Sequence, residues 1–218
     1  MIARAVQGWR PYALLIFLCL GLYLPGLARL PVTDRDEARF AQATRQMLET
    51  GDFIAIRYQD EARNKKPAGI YWLQAAAVAL FSNAESNVIW PYRLPSLLGA
   101  TAASLMTFGM GAALVGRPAA FVGAALLATS LGVVVEAHLA KTDAVLLACV
   151  TAAQLALGRI YYAVRQGNAA DWRLALLFWA ALGAGAARLL SHPASLRAFN
   201  VAMAILLVVS MVPVVLEE

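Results

Sequence analysis

Long apolar runs alternate with short polar connections along this chain, and a single extended polar stretch interrupts the pattern near the N-terminus. The first apolar run, residues 12–27, has Arg10 before it and Arg29 after it. Its length suits a membrane-crossing helix, for which about 17 to 25 residues are typical. A cleaved signal peptide is the alternative, because residues 26–28 form a weak small-residue site. The flanking arginines favour an uncleaved first span whose N-terminus lies inside.

Six further apolar segments follow the polar stretch. Residues 68–81 are short for a crossing and predict an interfacial or re-entrant helix, with Pro67 in its first turn and Tyr71 and Trp72 as an aromatic belt. Longer segments predict membrane spans at 94–115, 119–135, 144–161, 174–187 and 199–216. Small residues such as Gly99 and Gly111 predict close helix packing in the 94–115 span. The expected fold is all-α integral membrane, with about six transmembrane helices.

Composition supports this fold class. Hydrophobic residues make up 61% of the chain and charged residues 14%, whereas about a quarter of residues are charged in soluble proteins. The net charge of +5 reflects cytoplasmic anchoring charges, and no basic cluster with interleaved aromatics indicates nucleic acid. Cys19 and Cys149 lie inside apolar runs and are interpreted as small hydrophobic residues.

Charge is concentrated in the polar stretch. Seven basic and seven acidic side chains lie between Pro31 and Lys66, out of 31 formal charges in the chain. Counting crossings places this loop outside, Arg117 inside and residues 136–143 outside, in agreement with the positive-inside rule. The rule then fails, because an acid-free basic loop at 188–197 falls outside. Charged groups near a bilayer are costly and are kept for use, so function is expected in the polar stretch.

Two carboxylates begin the first helix of this loop. Asp34 and Glu37 have capping-box spacing, and Gly51 provides a stop. On a helical projection, Asp36 and Glu37 fall on the apolar side with Phe40 rather than among the exposed charges. They are either first-turn acids favoured by the helix dipole or functional carboxylates.

Other candidate side chains lie on the same outer face. Lys65 and Lys66 are either a headgroup-binding pair or a phosphate clamp, and Arg93 suits either role. If the 68–81 helix does not cross, Glu136 and three further residues form a possible periplasmic site. These three are His138, Lys141 and Asp143. No metal site is predicted, because HxxH and HExxH spacings are absent.

Four stretches in order resemble the N-terminal part of bacterial GT-C type glycosyltransferases, the relatives of aminoarabinose transferase and of the dolichyl-phosphate-mannose protein mannosyltransferases. They are DRDEARFAQATRQMLETGDFI, NKKPAGIYWLQ, YRLPSLLGA and EAHLAKTDAVLL. The resemblance covers residues 10–185. It implies inverting transfer of a sugar from a polyprenyl-phosphate donor to a lipid or protein acceptor at the periplasmic face. The enzyme is then expected to be a multi-pass protein of the bacterial inner membrane, in contact with membrane lipids.

The resemblance also implies residue roles. Asp36 of the Asp36–Glu37 pair corresponds to the general base, and Lys66 to the lysine that holds the carrier phosphate. Lys65 replaces a glutamate of the aminoarabinose enzyme, which puts a metal site dependent on that glutamate in doubt. No cofactor is certain, and a divalent metal stays open.

The C-terminal part departs from this pattern. Residues 188–218 resemble the last loop and helix of LysE-type amino-acid exporters, so the expected division is a transferase-like region at 1–187 and an exporter-like tail at 188–218. The expected function is a membrane glycosyltransferase that is active or is truncated and inactive. The alternatives are a non-catalytic hybrid membrane protein and a small amino-acid exporter-like transporter.

Overall fold

A computed structural model describes residues 6–63, 66, 68–169 and 171–186 of the chain. The predicted exporter-like tail at 188–218, with its helix at 199–216, lies outside these residues. Within them the chain forms helices and one short β-hairpin. The elements are α1 (Arg10–Tyr23), α2 (Arg35–Thr50), β1 (Arg57–Tyr58), β2 (Glu61–Ala62), α3 (Gly69–Phe81), α4 (Trp90–Leu114), α5 (Arg117–Thr129), α6 (Leu131–Ala137), α7 (Asp143–Arg165) and α8 (Trp172–Ala186).

The long helix α4 is the centre of the helical bundle and packs against α1, α3, α5, α6 and α7. Its glycines lie where neighbouring helices approach most closely. A Cβ atom added to Gly99 would lie 2.8 Å from the carbonyl oxygen of Ala144 on α7. A Cβ atom on Gly111 would lie 2.9 Å from the Cβ of Ala120 on α5. The predicted close packing through small residues is therefore confirmed.

Two described helices, α4 and α7, are long and apolar enough to cross a membrane, and α5 with α6 would make a third if the pair is one span. That pair bends by 58° at Ser130, where the sequence predicts one straight helix over 119–135. Ser130 has extended backbone angles and its hydroxyl donates to the carbonyl of Leu127, which ends α5. The structure thus shows two or three candidate spans, and six transmembrane helices stay a prediction.

The helices α1 and α3 contain 14 and 13 residues. At 1.5 Å per residue they are about 20 Å long, shorter than the hydrocarbon core of about 30 Å. For α3 this agrees with the expected interfacial or re-entrant helix. For α1 the helix is shorter than the 12–27 run, because the chain turns after Tyr23 through Pro25 and Gly26, whose φ is +89°.

Helix α2 follows its local sequence signals closely. The Asp34 carboxylate accepts a hydrogen bond from the backbone N–H of Asp36 at 2.7 Å and caps the N-terminus. Gly51 has φ +72° and ends the helix, as the pattern predicts. Glu37 is buried together with Phe40. The reciprocal half of the capping box does not form, because the Glu37 carboxylate is used elsewhere.

The bundle has two distinct ends. At one end the Arg117 guanidinium donates to the carbonyl of Val6 at 2.6 Å and to that of Gly8 at 2.7 Å, so residues 6–8 and the α4–α5 turn lie together. At the other end lie the start of α2, the start of α4 and the turn before α7. This second end contains the candidate site.

Candidate functional site

A fully buried ion pair joins Glu37 on α2 to Arg93 on α4. The Arg93 Nε donates to Glu37 Oε1 at 2.7 Å, and Nη2 donates to Oε2 at 3.1 Å, which is a bidentate pair. The two side chains are 0% and 1% exposed. The backbone N–H of Ala140 also donates to Glu37 Oε1 at 2.9 Å. One carboxylate therefore connects α2, α4 and the turn before α7.

The remaining Arg93 donors bind backbone carbonyls of the segment between α1 and α2. Nη1 donates to the carbonyls of Leu27 and Leu30 at 2.8 and 2.9 Å, and Nη2 donates to that of Pro31 at 3.3 Å. All five N–H groups of the guanidinium thus have protein acceptors. Arg93 and Glu37 are therefore buried and hold the start of α2 in place, and neither side chain lies on an open surface.

Asp36 differs from Glu37 although it is the next residue. Its side chain is 50% exposed, and its Oδ1 lies 3.4 Å from Nη1 of Arg39, one turn along α2. Asp36 therefore lies at the border of the apolar arc, where one step of 100° separates a buried carboxylate from an accessible one. An accessible, fixed carboxylate is what a general base requires.

A pocket of about 180 Å³ includes Arg39, the residue that contacts Asp36, in its lining, and it was not predicted from the sequence. It is lined by Arg39, Tyr58, Glu61, Ala62 and Arg63. The Nε of Arg63 donates to the hydroxyl of Tyr71 at 2.7 Å, and its guanidinium lies 5.1 Å from the ring centroid of Phe40.

Arg39 follows Asp36 by three residues. This helical spacing could have predicted that the two side chains lie next to each other. The β1–β2 hairpin that brings Tyr58 and Arg63 to the pocket left no such signal, since each strand has two residues. Gln46 fixes this hairpin to α2. Its side-chain amide donates to the carbonyl of Gln59 and accepts from the N–H of Gln59, both at 2.9 Å.

Lys66 is half-buried and lies three residues before the start of α3. Lys65 lies outside the described residues, so the structure does not place it. The aromatic belt at Tyr71 and Trp72 stays a prediction. Tyr71 is fully buried beneath Arg63, and Trp72 is 52% exposed.

The possible periplasmic site separates into two parts. Lys141 donates to Oδ2 of Asp34 at 2.8 Å and lies 3.6 Å from Oε1 of Glu136. The hydrogen bond from Lys141, helped by the N–H of Asp36, holds the pKa of the Asp34 carboxyl below its usual range. Desolvation lowers the pKa of Lys141, but the carboxylates of Asp34, Glu136 and Asp143 together outweigh it and raise the pKa overall. Lys141 therefore fixes the turn before α7 against the cap of α2.

His138 belongs to a different contact. Its Nδ1 lies 2.7 Å from the carbonyl of Val134 and its Nε2 lies 2.9 Å from the carbonyl of Pro25. The imidazole thus connects α6 to the turn after α1, in agreement with a structural histidine. Asp143 is the first residue of α7.

In the part of the chain that the structure describes, no group of three or more His, Cys, Asp or Glu side chains could hold a metal ion. The position where the resemblance expects a metal-binding glutamate carries Lys65.

Residues 10–188 match the family described as dolichyl-phosphate-mannose-protein mannosyltransferase. Over 124 residues the chain is 29% identical to the undecaprenyl phosphate-alpha-4-amino-4-deoxy-L-arabinose arabinosyl transferase of Edwardsiella ictaluri, which covers 57% of this chain and 21% of that protein. It is 37% identical over 79 residues to an uncharacterized protein of Aquifex aeolicus, covering 36% of this chain and 18% of that protein.

The fold is similar to the crystal structure of ArnT from Cupriavidus metallidurans in the apo state. The TM-score is 0.68 at 21% sequence identity, over 81% of this chain and 32% of that chain. The chain therefore spans about a fifth of the arabinosyl transferase and a third of the solved structure. The exporter-like tail at 188–218 has no support from these comparisons and stays a prediction.

Proposed function

Because the chain belongs to the dolichyl-phosphate-mannose-protein mannosyltransferase family, we propose that it forms the base-bearing and carrier-binding part of a membrane glycosyltransferase. The proposed reaction transfers a sugar from a polyprenyl-phosphate donor to a lipid or protein acceptor at the periplasmic face of the bacterial inner membrane. The observation that carries the proposal is the contrast between Glu37 and Asp36. A buried ion pair fixes the start of α2, whereas the adjacent carboxylate of Asp36 is half exposed and contacts Arg39, which lines the pocket.

In this mechanism Asp36 accepts the proton of the acceptor group as the acceptor attacks the anomeric carbon of the donor sugar. A new bond forms between the acceptor and the sugar, and the bond between the sugar and the carrier phosphate breaks with inversion. The electron pair of that bond leaves with the phosphate. General base catalysis of this kind contributes about 10²- to 10⁴-fold to the rate.

The leaving carrier phosphate needs cationic partners that stabilise its developing charge. We assign this role to Lys66 and to the pocket formed by Arg39 and Arg63. Nη1 of Arg39 lies 3.4 Å from Asp36 Oδ1 and Nε of Arg63 donates to the Tyr71 hydroxyl at 2.7 Å, so both guanidinium groups already have fixed neighbours. Preorganised donors of this kind stabilise charge without reorganisation. Arg93 and Glu37 are positioning residues in this proposal, since their polar atoms are used in the framework.

Transfer can be tested with the purified protein in proteoliposomes, supplied with an undecaprenyl-phosphate sugar and extracted membrane lipid as the acceptor. We expect Asp36→Asn to lower the rate by about 100-fold or more, because the amide cannot accept the proton. Asp60→Asn is the matched control, since Asp60 is an exposed acid of the same loop. Transfer by Asp36→Asn at the wild-type rate would overturn the base assignment.

Carrier binding is a separate measurement, made with undecaprenyl phosphate and protein in nanodiscs. Arg39→Ala and Lys66→Ala should weaken binding, whereas Arg45→Ala should not, because Arg45 pairs with Glu49 at 2.8 Å on the exposed side of α2. Equal losses in Arg39→Ala and Arg45→Ala would contradict the pocket. Carrier binding without any transfer by the wild-type chain would favour the non-catalytic alternative.

A further inference from the structure

An apolar loop tip follows α2 and projects from the protein. Ile54 is 90% exposed and Phe53 is 45% exposed, only two and three residues after the helix stop at Gly51. The next isoleucine, Ile56, is 5% exposed and packs in the core beneath α2. The loop therefore exposes two consecutive apolar side chains, Phe53 and Ile54, and buries Ile56.

The outward conformation of this tip is held by hydrogen bonds rather than by burial. Oδ1 of Asp52 accepts from the backbone N–H of Ile54 at 3.0 Å and from that of Ala55 at 2.9 Å. The indole N–H of Trp72, on α3, donates to the carbonyl of Phe53 at 2.8 Å. The tip is thus attached at its base to α2 and on its flank to α3.

The exposed face of α3 continues the same apolar surface. While Tyr71 and Gln74 point into the protein, the outward positions of the helix are all apolar. They are Trp72, Leu73, Ala76, Ala79, Leu80 and Phe81. With Ile54 and Phe53 at one end, this face runs along the whole helix, about 20 Å at 1.5 Å per residue. An exposed apolar face of this length in an integral membrane protein is a surface for lipid.

We propose that Phe53, Ile54 and Trp72 form a wedge that inserts into the outer leaflet and anchors the catalytic loop to the bilayer. The occupant is lipid, because the wedge is continuous with the apolar face of α3 and is flanked by charged Asp52 and Arg57. Amphipathic elements of this kind lie about 5–10 Å into the boundary between headgroups and acyl chains. The indole of Trp72 suits that depth, and its N–H already has an acceptor, so burial leaves no donor unsatisfied.

The wedge has a consequence for the position of the loop. Because Phe53 is the third residue after the end of α2, its depth in the leaflet sets the height of α2 above the bilayer. The attachment itself requires only membrane insertion of the chain, so it can hold or fail independently of sugar transfer.

Site-directed labelling tests the wedge. A nitroxide is attached to Ile54→Cys in a Cys19→Ala and Cys149→Ala background, in liposomes of phosphatidylethanolamine and phosphatidylglycerol. Glu61→Cys is the control, because Glu61 is exposed on the neighbouring hairpin. We expect the label at 54 to be accessible to oxygen and shielded from a water-soluble nickel chelate, and the label at 61 to show the reverse. Equal accessibility of both labels to nickel would overturn the wedge, and so would shielding of position 54 from both reagents, which indicates a protein cover.

A second measurement keeps the native cysteines. Lipids brominated near the glycerol backbone quench tryptophans that lie at the boundary of the leaflet. The part of the tryptophan fluorescence that these lipids quench should be smaller in Trp72→Phe than in the wild-type protein, by the contribution of one tryptophan. The phenylalanine ring preserves the apolar surface. An unchanged quenched emission in Trp72→Phe would show that Trp72 does not contact lipid and would overturn the proposal.

Discussion

Replacing Glu37 with glutamine would leave the Arg93 guanidinium buried opposite a neutral amide. The amide oxygen can still accept from Nε of Arg93, but the amide nitrogen would face Nη2, which now donates to the carboxylate at 3.1 Å. Two donors would then confront each other in a site that is at most 1% exposed. The variant therefore removes a charge and one acceptor while changing hardly any volume.

The expected cost follows from this burial. Removing one partner of a buried ion pair typically destabilises a protein by about 3–5 kcal/mol, because the other charge stays buried without compensation. We expect Glu37→Gln to lie in this range. Asp36→Asn is the matched control, since Asp36 is half exposed and exposed pairs contribute at most about 1 kcal/mol.

Stability can be measured by equilibrium unfolding in mixed detergent micelles, with helix content as the signal. A double variant, Glu37→Gln with Arg93→Met, separates the charge effect from the loss of contacts. It should recover part of the stability by removing the uncompensated charge. Recovery should be incomplete, because Arg93 also holds the carbonyls of Leu27, Leu30 and Pro31. If Glu37→Gln costs no more than Asp36→Asn, the pair does not hold the start of α2.

Two further changes test packing and protonation. Gly99→Ala places a methyl group 2.8 Å from the backbone oxygen of Ala144. We expect this overpacking to lower the free energy of unfolding by about 1–3 kcal/mol, which a lower thermal unfolding temperature would show. Gly123→Ala is the control, because a methyl group there meets nothing within 4 Å and should not destabilise the protein. The pKa of Asp34 is lower in the folded state than its unfolded value of about 3.9, so its contribution to stability is present above that pH and is lost as pH falls through the folded pKa. Asp34→Asn should therefore remove stability near pH 6 and flatten its decline toward pH 3, because the charge that pairs with Lys141 is gone; an identical pH profile for both proteins would contradict the assignment.

The sequence by itself determined the membrane character, the bounds of α2 and the side on which Glu37 is buried. These features depend on local physics. Asp34 caps the first turn, Gly51 adopts φ +72°, and helical periodicity assigns each residue a face. The close contact at Gly99 was predictable for the same reason, since a residue without a side chain allows a neighbouring backbone to approach.

Only the tertiary structure decided what the charged side chains do. Arg93 looked from the sequence like a phosphate-binding cation, yet its carboxylate partner is 56 residues away on α2. The helical projection placed Asp36 and Glu37 on the same side of α2. In the structure the Asp36 side chain is half exposed and contacts Arg39, which lines the pocket, whereas the Glu37 side chain is fully buried in its ion pair with Arg93. Arg63 reaches that pocket through a two-residue strand that no periodic pattern reveals. Local sequence determines where a helix begins and which face of the helix a residue occupies. The partner of a buried charge depends instead on how segments distant in sequence pack together. A buried charge without a partner is strongly destabilising, so the pairing is decided when the tertiary structure forms.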